Sequence, residues 1–264
     1  MIALETVTIG VGGRTLVRDI SARIGAGEFV AVLGPNGVGK TTLMRALGGL
    51  RPALAGNIKL GDVPLRSLAA TERARAIAFV TSDEAMLETL RVRDVVAIGR
   101  YPHHPWWEWG ETVADDAAIE SALRAVRLEG EERRLLTTLS SGERQRVWIA
   151  MGLAQATPVL LLDEPTAHLD VRVAHEILSL LRTLADDGRT VVRVLHDLND
   201  AAAYADRLML LGCERMLAYD VPDRVLRPDL IERAYGIAVT RVETSDGPRV
   251  FAAVNSAAVG SPSR

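Results

Sequence analysis

The 264-residue chain contains few lysines, a single cysteine and few aromatic residues. Lys40 and Lys59 are the only lysines among 31 basic residues, so nearly every basic position is arginine. Cys213 is the single cysteine, which excludes an internal disulfide and is typical of a reducing compartment. No stretch reaches the roughly 18 apolar residues of a membrane span, and the first residues lack the basic start and apolar run of a signal peptide. We therefore expect a soluble, cytoplasmic protein.

The composition also lacks an excess of positive charge. The 31 basic residues stand against 34 acidic ones, for a formal net charge of -3. A general nucleic-acid-binding protein usually carries a basic excess, so the composition argues against a nucleic-acid partner. Hydrophobic residues make up 48% of the chain, which is enough to bury a sizeable core.

The strongest local motif is a glycine-rich stretch between a strand and a helix. The apolar run Phe29–Leu33 is typical of a buried parallel strand, and a helix is predicted from about 40 to 47. Glycines let backbone N–H groups curl toward phosphates, while Lys40 reaches the β- and γ-phosphates and the Thr41 hydroxyl can ligate Mg²⁺. We therefore predict a phosphate loop that binds ATP with Mg²⁺. The loop comprises Gly34, Pro35, Asn36, Gly37, Val38, Gly39, Lys40, Thr41 and Thr42.

The remaining pattern predicts an α/β fold with a partly parallel sheet. Residues 2–24 alternate apolar and polar positions around a turn at Gly12-Gly13, which predicts antiparallel strands. Helical periodicity runs from about 92 to 156, with a proline-containing loop at 101–107. A helix at about 173–186 separates two strand runs, as in a right-handed crossover. The other predicted strands are 77–80, 159–162, 191–195, 207–211 and 216–219.

Four further motifs follow the phosphate loop, and together the five resemble those of ATP-binding cassette (ABC) ATPases over nearly the whole chain. They are the signature-like 139–146, the Walker B-like strand 159–164, the D-loop-like 166–170 and the switch histidine His196. The resemblance implies a P-loop NTPase fold of the ABC type with an antiparallel β subdomain and a helical subdomain. It places the ATPase domain at 1–239, with the helical subdomain at about 84–156. Residues 240–264 form a C-terminal extension whose end we expect to be disordered.

The resemblance also implies roles for individual residues. Asp163 would join Thr41 in holding Mg²⁺, Glu164 would act as general base on the attacking water, and His196 would contact the γ-phosphate. ATP would be sandwiched between two chains facing head to tail, which implies a homodimer or a heterodimer with a related chain. Asp170 belongs to the D-loop. The residues implied to meet the opposite subunit's ATP are Ser140, Ser141, Gly142 and Glu143. Ser140 is also a helix cap by its position.

Two positions depart from the family pattern. Val11 stands where many relatives carry an aromatic ring that stacks on adenine, so we expect weaker discrimination between ATP and GTP. Ser82 stands at the position of the Q-loop glutamine. Its hydroxyl can ligate Mg²⁺ with a shorter reach, and Asp83 is an alternative ligand. A polar loop without any metal contact is the other interpretation.

Downstream segments resemble importers of iron-siderophores, haem and cobalamin more than other cassettes. These segments are 95–103, 196–207 and 235–237. The implied function is the ATP-hydrolysing subunit of an importer, peripheral at the cytoplasmic face of the membrane. Its partners would be a second ATPase subunit, an integral membrane permease and, indirectly, a substrate-binding protein. The alternatives are a soluble ABC ATPase in DNA repair or translation, or an exporter subunit.

The segment around the prolines carries residue types that suggest two further interpretations. Trp106, Trp107 and Trp109 either meet a permease helix or pack a local loop. The adjacent His103 and His104 cannot form a metal site by themselves, so we interpret them as part of a plain loop.

Overall fold

The computed structural model describes residues 1–81, 89–104, 112–163, 170–244 and 247–252. Among these residues, no helix combines the length and apolar character that a membrane crossing requires. The strands are β1 (Ile2–Val11), β2 (Arg14–Ile24), β3 (Phe29–Leu33), β4 (Ala55–Leu60), β5 (Val63–Pro64), β6 (Ile77–Thr81), β7 (Val159–Asp163), β8 (Thr190–Val194), β9 (Arg207–Gly212), β10 (Arg215–Asp220), β11 (Val239–Thr244) and β12 (Gly247–Ala252). The helices are α1 (Lys40–Leu47), α2 (Ala70–Ala76), α3 (Val92–Ile98), α4 (Val113–Ala125), α5 (Ser141–Ala154), α6 (Val171–Asp186), α7 (Leu198–Tyr204), α8 (Pro222–Val225) and α9 (Pro228–Tyr235).

Ten strands form one mixed sheet in the order β5-β4-β1-β2-β10-β9-β3-β8-β7-β6. Five adjacent strands of this sheet are all parallel to one another, namely β9, β3, β8, β7 and β6. At the other edge, β1 pairs antiparallel with both β2 and β4. The predicted antiparallel start and parallel centre are therefore confirmed. The carboxyl ends of β3, β8 and β7 meet at one edge of the sheet, where ligands bind in open α/β folds.

Strand β3 is buried on both faces, as its continuous apolar run predicts. Phe29, Ala31 and Leu33 face the side covered by α5 and α6 and belong to the larger hydrophobic core. Val30 and Val32 face the opposite side, which α1 covers together with β1 and β2. Two cores thus hold the strand that leads into the phosphate loop, and this fixes the position at which the loop begins.

Helices α3, α4 and α5 pack against one another, and a buried ion pair lies among them. The Arg100 guanidinium donates to Asp115 Oδ1 at 2.8 Å, with only 11% and 2% of the two side chains exposed. Burial acts to raise the pKa of Asp115, but hydrogen bonds from Arg100 and Thr112 outweigh it and hold the pKa well below its usual range. His104 Nε2 lies 2.9 Å from Asp115 Oδ2, and the His103 ring lies 2.9 Å from the Gln155 carbonyl. Both histidines therefore tie the predicted loop, which begins as a 3₁₀ turn, to this helical part.

The chain beyond α9 forms a β-hairpin of β11 and β12 that the sequence pattern did not predict. This hairpin contacts α7 through Asn199. The Asn199 side chain donates to the Val250 carbonyl at 3.2 Å and accepts from the Val250 N–H at 2.8 Å. The beginning of the C-terminal extension is thus bound to the helix that follows His196.

Candidate nucleotide-binding site

The phosphate loop joins the end of β3 to the start of α1. Gly39 is the N-cap of α1 with φ 114°, and Gly37 has φ 77°, so both adopt backbone angles that glycine tolerates best. The Val38 N–H donates to the Pro35 carbonyl at 3.3 Å, which closes the turn. Helix α1 begins at Lys40, so the positive end of its dipole faces the loop. This geometry suits an anionic ligand.

Lys40 lies inside the loop and is almost fully buried, with 4% of the residue exposed. Its ammonium donates to the Gly34 carbonyl at 2.8 Å and to the Pro35 carbonyl at 3.1 Å. These carbonyls hold the charge at the centre of the loop. A compact ammonium with rotatable donors can exchange such contacts for phosphate oxygens, which a rigid guanidinium fork does less readily. This accounts for a lysine at this position in an arginine-rich chain.

Thr41 and Asp163 meet across the site. The Thr41 hydroxyl donates to Asp163 Oδ1 at 3.1 Å, joining the first turn of α1 to the last residue of β7. Asp163 is 6% exposed. Hydroxyl and carboxylate oxygens are the hard donors that Mg²⁺ prefers, and one carboxylate leaves room for water and phosphate ligands. The donor set therefore fits the predicted metal.

The other residues predicted on the nucleotide side fall partly outside the described residues. His196 is exposed and lies just beyond β8, the strand between β3 and β7. Glu164 and Ser82 lie outside the described residues, as do Asp83 and Trp106, Trp107 and Trp109. The residues just before Ser82 and Glu164 are described. They are Thr81 and Asp163, which are register partners at the ends of β6 and β7.

The signature-like segment begins α5. Ser140 is the N-cap, its Oγ accepting from the Glu143 N–H at 3.2 Å while its own N–H donates to Glu143 Oε2 at 2.7 Å. This hydrogen bond from the Ser140 backbone is the main cause of a lowered pKa of Glu143. Ser140 and Ser141 are exposed, whereas Gly142 is buried. A side chain at Gly142 would meet Val173 Cγ1 of α6 at 2.6 Å, so the glycine permits close helix packing here.

Asp170 and Val11 both lie at the surface. Asp170 is the N-cap of α6 and accepts from the Arg172 N–H at 2.8 Å. Val11 ends β1 and is 47% exposed. Strand β1 runs beside the phosphate loop, because a side chain added at Gly39 would lie 3.6 Å from Ile9 Cδ1. The place of Val11 beside the base stays a prediction.

Tyr235 is a contact of the phosphate loop that the sequence motifs do not identify. Its hydroxyl accepts from the Gly34 N–H at 2.9 Å, across 201 residues of sequence. Burial is the main cause that raises the pKa of Tyr235 to about 12, so the phenol stays neutral at ordinary pH. The sequence offered a resemblance at 235–237 but no local signal for a contact at this distance.

The geometry described so far is that of a phosphate-binding loop between a buried strand and a helix. The family model described as ABC transporter matches residues 17–167. The chain is 37% identical over 249 residues to the petrobactin import ATP-binding protein FpuC of Bacillus anthracis, covering 94% of this chain and 91% of that one. It is 38% identical over 235 residues to the ferric enterobactin transport ATP-binding protein FepC of Escherichia coli, covering 88% and 86%. It is 39% identical over 244 residues to the hemin import ATP-binding protein HmuV of Pseudomonas fluorescens, covering 90% and 94%.

Solved structures share the fold. An inward-facing metal-chelate type ABC transporter superposes with a TM-score of 0.84 at 24% identity, over 97% of this chain and 98% of that one. A dimeric ABC transporter cassette in a post-hydrolysis state, bound to ADP and Pi, superposes with a TM-score of 0.72 at 26% identity, over 84% and 99%.

The chain belongs to the ABC transporter family and is an ATP-binding ATPase cassette. The expected fold class is confirmed.

Proposed function

We propose that this chain is the ATP-hydrolysing subunit of an importer for an iron-siderophore, haem or cobalamin-type substrate. The observation that carries the proposal is similarity over about nine-tenths of the chain to import subunits for petrobactin, ferric enterobactin and hemin. The buried Lys40 and the Thr41–Asp163 pair supply the chemistry that such a subunit needs.

On the nucleotide side, the phosphate loop would hold ATP. Lys40 would exchange its two carbonyl contacts for oxygens of the β- and γ-phosphates. The N–H groups of Gly39, Lys40, Thr41 and Thr42, at the start of α1, would add a partial positive charge. With ATP bound, this arrangement would stabilise the negative charge that develops during phosphoryl transfer.

For hydrolysis, Thr41 and Asp163 would hold Mg²⁺, which when bound neutralises charge on the β- and γ-phosphates. Glu164 follows Asp163 in sequence and would accept the proton of the attacking water. His196, beyond the neighbouring strand β8, would donate a hydrogen bond to the γ-phosphate. Ser82 or Asp83 would supply a further oxygen at the edge that Thr81 shares with Asp163.

The complete site would need a second chain. Ser140, Ser141, Gly142 and Glu143 of one subunit would close over the ATP held by the other, with Asp170 beside the interface. The exposure of Ser140 and of Asp170 supports this role. We further propose that the dimer docks on a membrane permease at the cytoplasmic face, with a substrate-binding protein acting on the far side. The ATPase domain would span 1–239, with its helical subdomain at about 84–156 and an extension at 240–264.

Uptake measurements test the importer function. In cells lacking this chain, we expect uptake of one labelled ferric siderophore, haem or cobalamin to fall. The wild-type chain should restore it, whereas the Glu164→Gln variant should not. Uptake of a labelled sugar and amino acid serves as the control. Normal uptake of all three metal chelates in the deficient cells would contradict the proposal.

Purified Glu164→Gln protein tests the catalytic assignment separately. We expect turnover near zero with ATP binding retained, because Lys40 and the loop are unchanged, and a native mass that shifts toward a dimer with ATP. Full turnover as a monomer would overturn both the general-base role and the two-chain site.

A further inference from the structure

Gly34, the first residue of the phosphate loop, is hydrogen-bonded through both its N–H and its carbonyl. The Gly34 carbonyl accepts from the Lys40 ammonium at 2.8 Å, and the Gly34 N–H donates to the Tyr235 hydroxyl at 2.9 Å. Tyr235 is the last residue of α9, which ends at Gly236 with φ 72°. The helix packs on β9 through the buried Ile231 and Ala234. A hydroxyl from the C-terminal part of the chain thus reaches the loop that holds Lys40.

Gly34 has little freedom to find another arrangement. Its φ is 146°, and a side chain at this position would lie 2.5 Å from the Leu211 carbonyl of β9. Strand β3 ends at Leu33, so the Gly34 N–H falls beyond the described strand. Gly34 is buried, and a buried N–H needs a hydrogen-bond acceptor. The phenol oxygen of Tyr235 supplies that acceptor.

We propose that Tyr235 is a positioning residue for ATP binding, an inference that rests on the proposed role of the phosphate loop. Its hydroxyl holds the Leu33–Gly34 peptide through the Gly34 N–H, and the carbonyl of the following Gly34–Pro35 peptide contacts Lys40. Loss of the hydroxyl leaves the N–H of the Leu33–Gly34 peptide unpaired in a buried place, and any rotation at Gly34 that relieves it also moves the next peptide, whose carbonyl contacts Lys40. The loop then no longer presents its N–H groups and its ammonium in one arrangement before the nucleotide arrives.

The test compares two tyrosine variants that each lose one hydroxyl bonded to backbone. Tyr235→Phe removes the acceptor of the Gly34 N–H. The control is Tyr219→Phe, which removes a hydroxyl that donates to the Arg23 carbonyl at 2.9 Å, away from the loop. The measurements are the Kd of a fluorescent ATP analogue, the KM and kcat of ATP hydrolysis, and the unfolding temperature. We expect Tyr235→Phe to raise Kd and KM about tenfold with kcat nearly unchanged, and Tyr219→Phe to change neither.

Three outcomes decide the proposal. An unchanged Kd in Tyr235→Phe overturns it, as does an equal rise of Kd in both variants, which would indicate a general loss of stability. Amide hydrogen exchange of the wild-type chain provides an independent check if the variant does not fold. The Gly34 amide should exchange as slowly as the amides of β3, and fast exchange overturns the proposal.

A Lys40→Ala variant separates this inference from the proposed function. If Lys40→Ala still binds the ATP analogue normally, the assigned nucleotide site is wrong. If Lys40→Ala abolishes binding while Tyr235→Phe does not weaken it, only the role of Tyr235 fails.

Discussion

The two halves of the proposed ATP site are built in opposite ways. The phosphate loop follows a strand that lies between two hydrophobic cores, and its lysine is 4% exposed with two carbonyl partners. The signature-like segment lies at an exposed helix start, where Ser140 and Glu143 satisfy each other's N–H groups. The first half depends on contacts between distant parts of the chain, and the second on contacts within one helical turn.

This difference indicates which half a single chain can complete by itself. The phosphate loop has its charge, its glycines and its Thr41–Asp163 pair in place in one chain. The signature half has its polar groups satisfied locally and presents two exposed serines to the outside. We therefore expect one chain to bind ATP through the first half, and turnover to require the second half of another chain.

The largest expected effect comes from Lys40→Ala, which removes the ammonium of the phosphate-loop half. We call this the preformed half, because its groups are in place in one chain. We expect ATP affinity to fall about 100-fold or more, because a phosphate group would lose its charge-assisted partner inside a buried site. Lys59→Ala is a matched control, since Lys59 is the other lysine of the chain and pairs with Glu5 at 2.7 Å on the sheet edge. Titration with an ATP analogue measures both. An affinity for Lys40→Ala within tenfold of wild type would contradict the assignment.

The preformed half is also the part that the sequence predicts best. The run Phe29–Leu33 must be buried on both faces, and the glycines and Lys40 follow at fixed spacing, so strand, loop and helix are all local consequences. The Tyr235 contact and the hairpin β11–β12 depend on tertiary packing and have no comparable local pattern. Strand β4 was not predicted either, because its residues are half-buried at best and show no clean alternation.

Ser140→Ala tests the exposed half. Binding of ATP to a single chain should stay near wild type, while ATPase activity should fall about 10- to 100-fold, because the opposite γ-phosphate loses a hydroxyl partner. The helix also loses its cap, at a cost of roughly 1 kcal/mol in unfolding free energy. Steady-state turnover and chemical denaturation measure the two effects.

Thr112→Ala provides the control for the lost cap. Thr112 caps α4 through the same pattern, accepting from the Asp115 N–H at 3.3 Å. We expect Thr112→Ala to lose at least as much stability as Ser140→Ala, since the Thr112 hydroxyl also donates to the buried Asp115, but only Ser140→Ala to lose turnover. Equal turnover losses would mean that Ser140 acts only as a helix cap, and the contrast between the halves would disappear.

Val11→Tyr is expected to have a smaller effect on the preformed half. An aromatic ring at this 47% exposed position would supply the stacking face that valine lacks. We expect the preference for ATP over GTP to rise about 2- to 10-fold in kcat/KM, which corresponds to one aromatic contact. Val63→Tyr, at a position 45% exposed on the edge strand β5, controls for an added surface ring. Equal nucleotide preferences in Val11→Tyr and wild type would remove Val11 from the base site.

The smallest expected effect is a pH dependence of the unfolding free energy that arises in the exposed half of the site, the signature-like segment. Glu143 has a pKa below its ordinary 4.5, mainly because its carboxylate accepts from the Ser140 N–H. A carboxyl group with a lowered folded-state pKa adds stability above its unfolded-state pKa and loses it as the pH falls through the folded value. The partly exposed site limits this contribution to less than about 1 kcal/mol.

Glu143→Gln should therefore have a lower unfolding free energy than wild type at pH 7. The difference in unfolding free energy should shrink as the pH falls below 4.5. Denaturation curves across this range measure the difference. Glu120→Gln, at an exposed position on α4, controls for the loss of one negative charge and should show a flatter difference. A constant gap between Glu143→Gln and wild type from pH 7 down to pH 3 would mean that the carboxylate does not close the cap. Because the cap lies in the signature half, Glu143→Gln should leave the ATP affinity of a single chain at pH 7 unchanged.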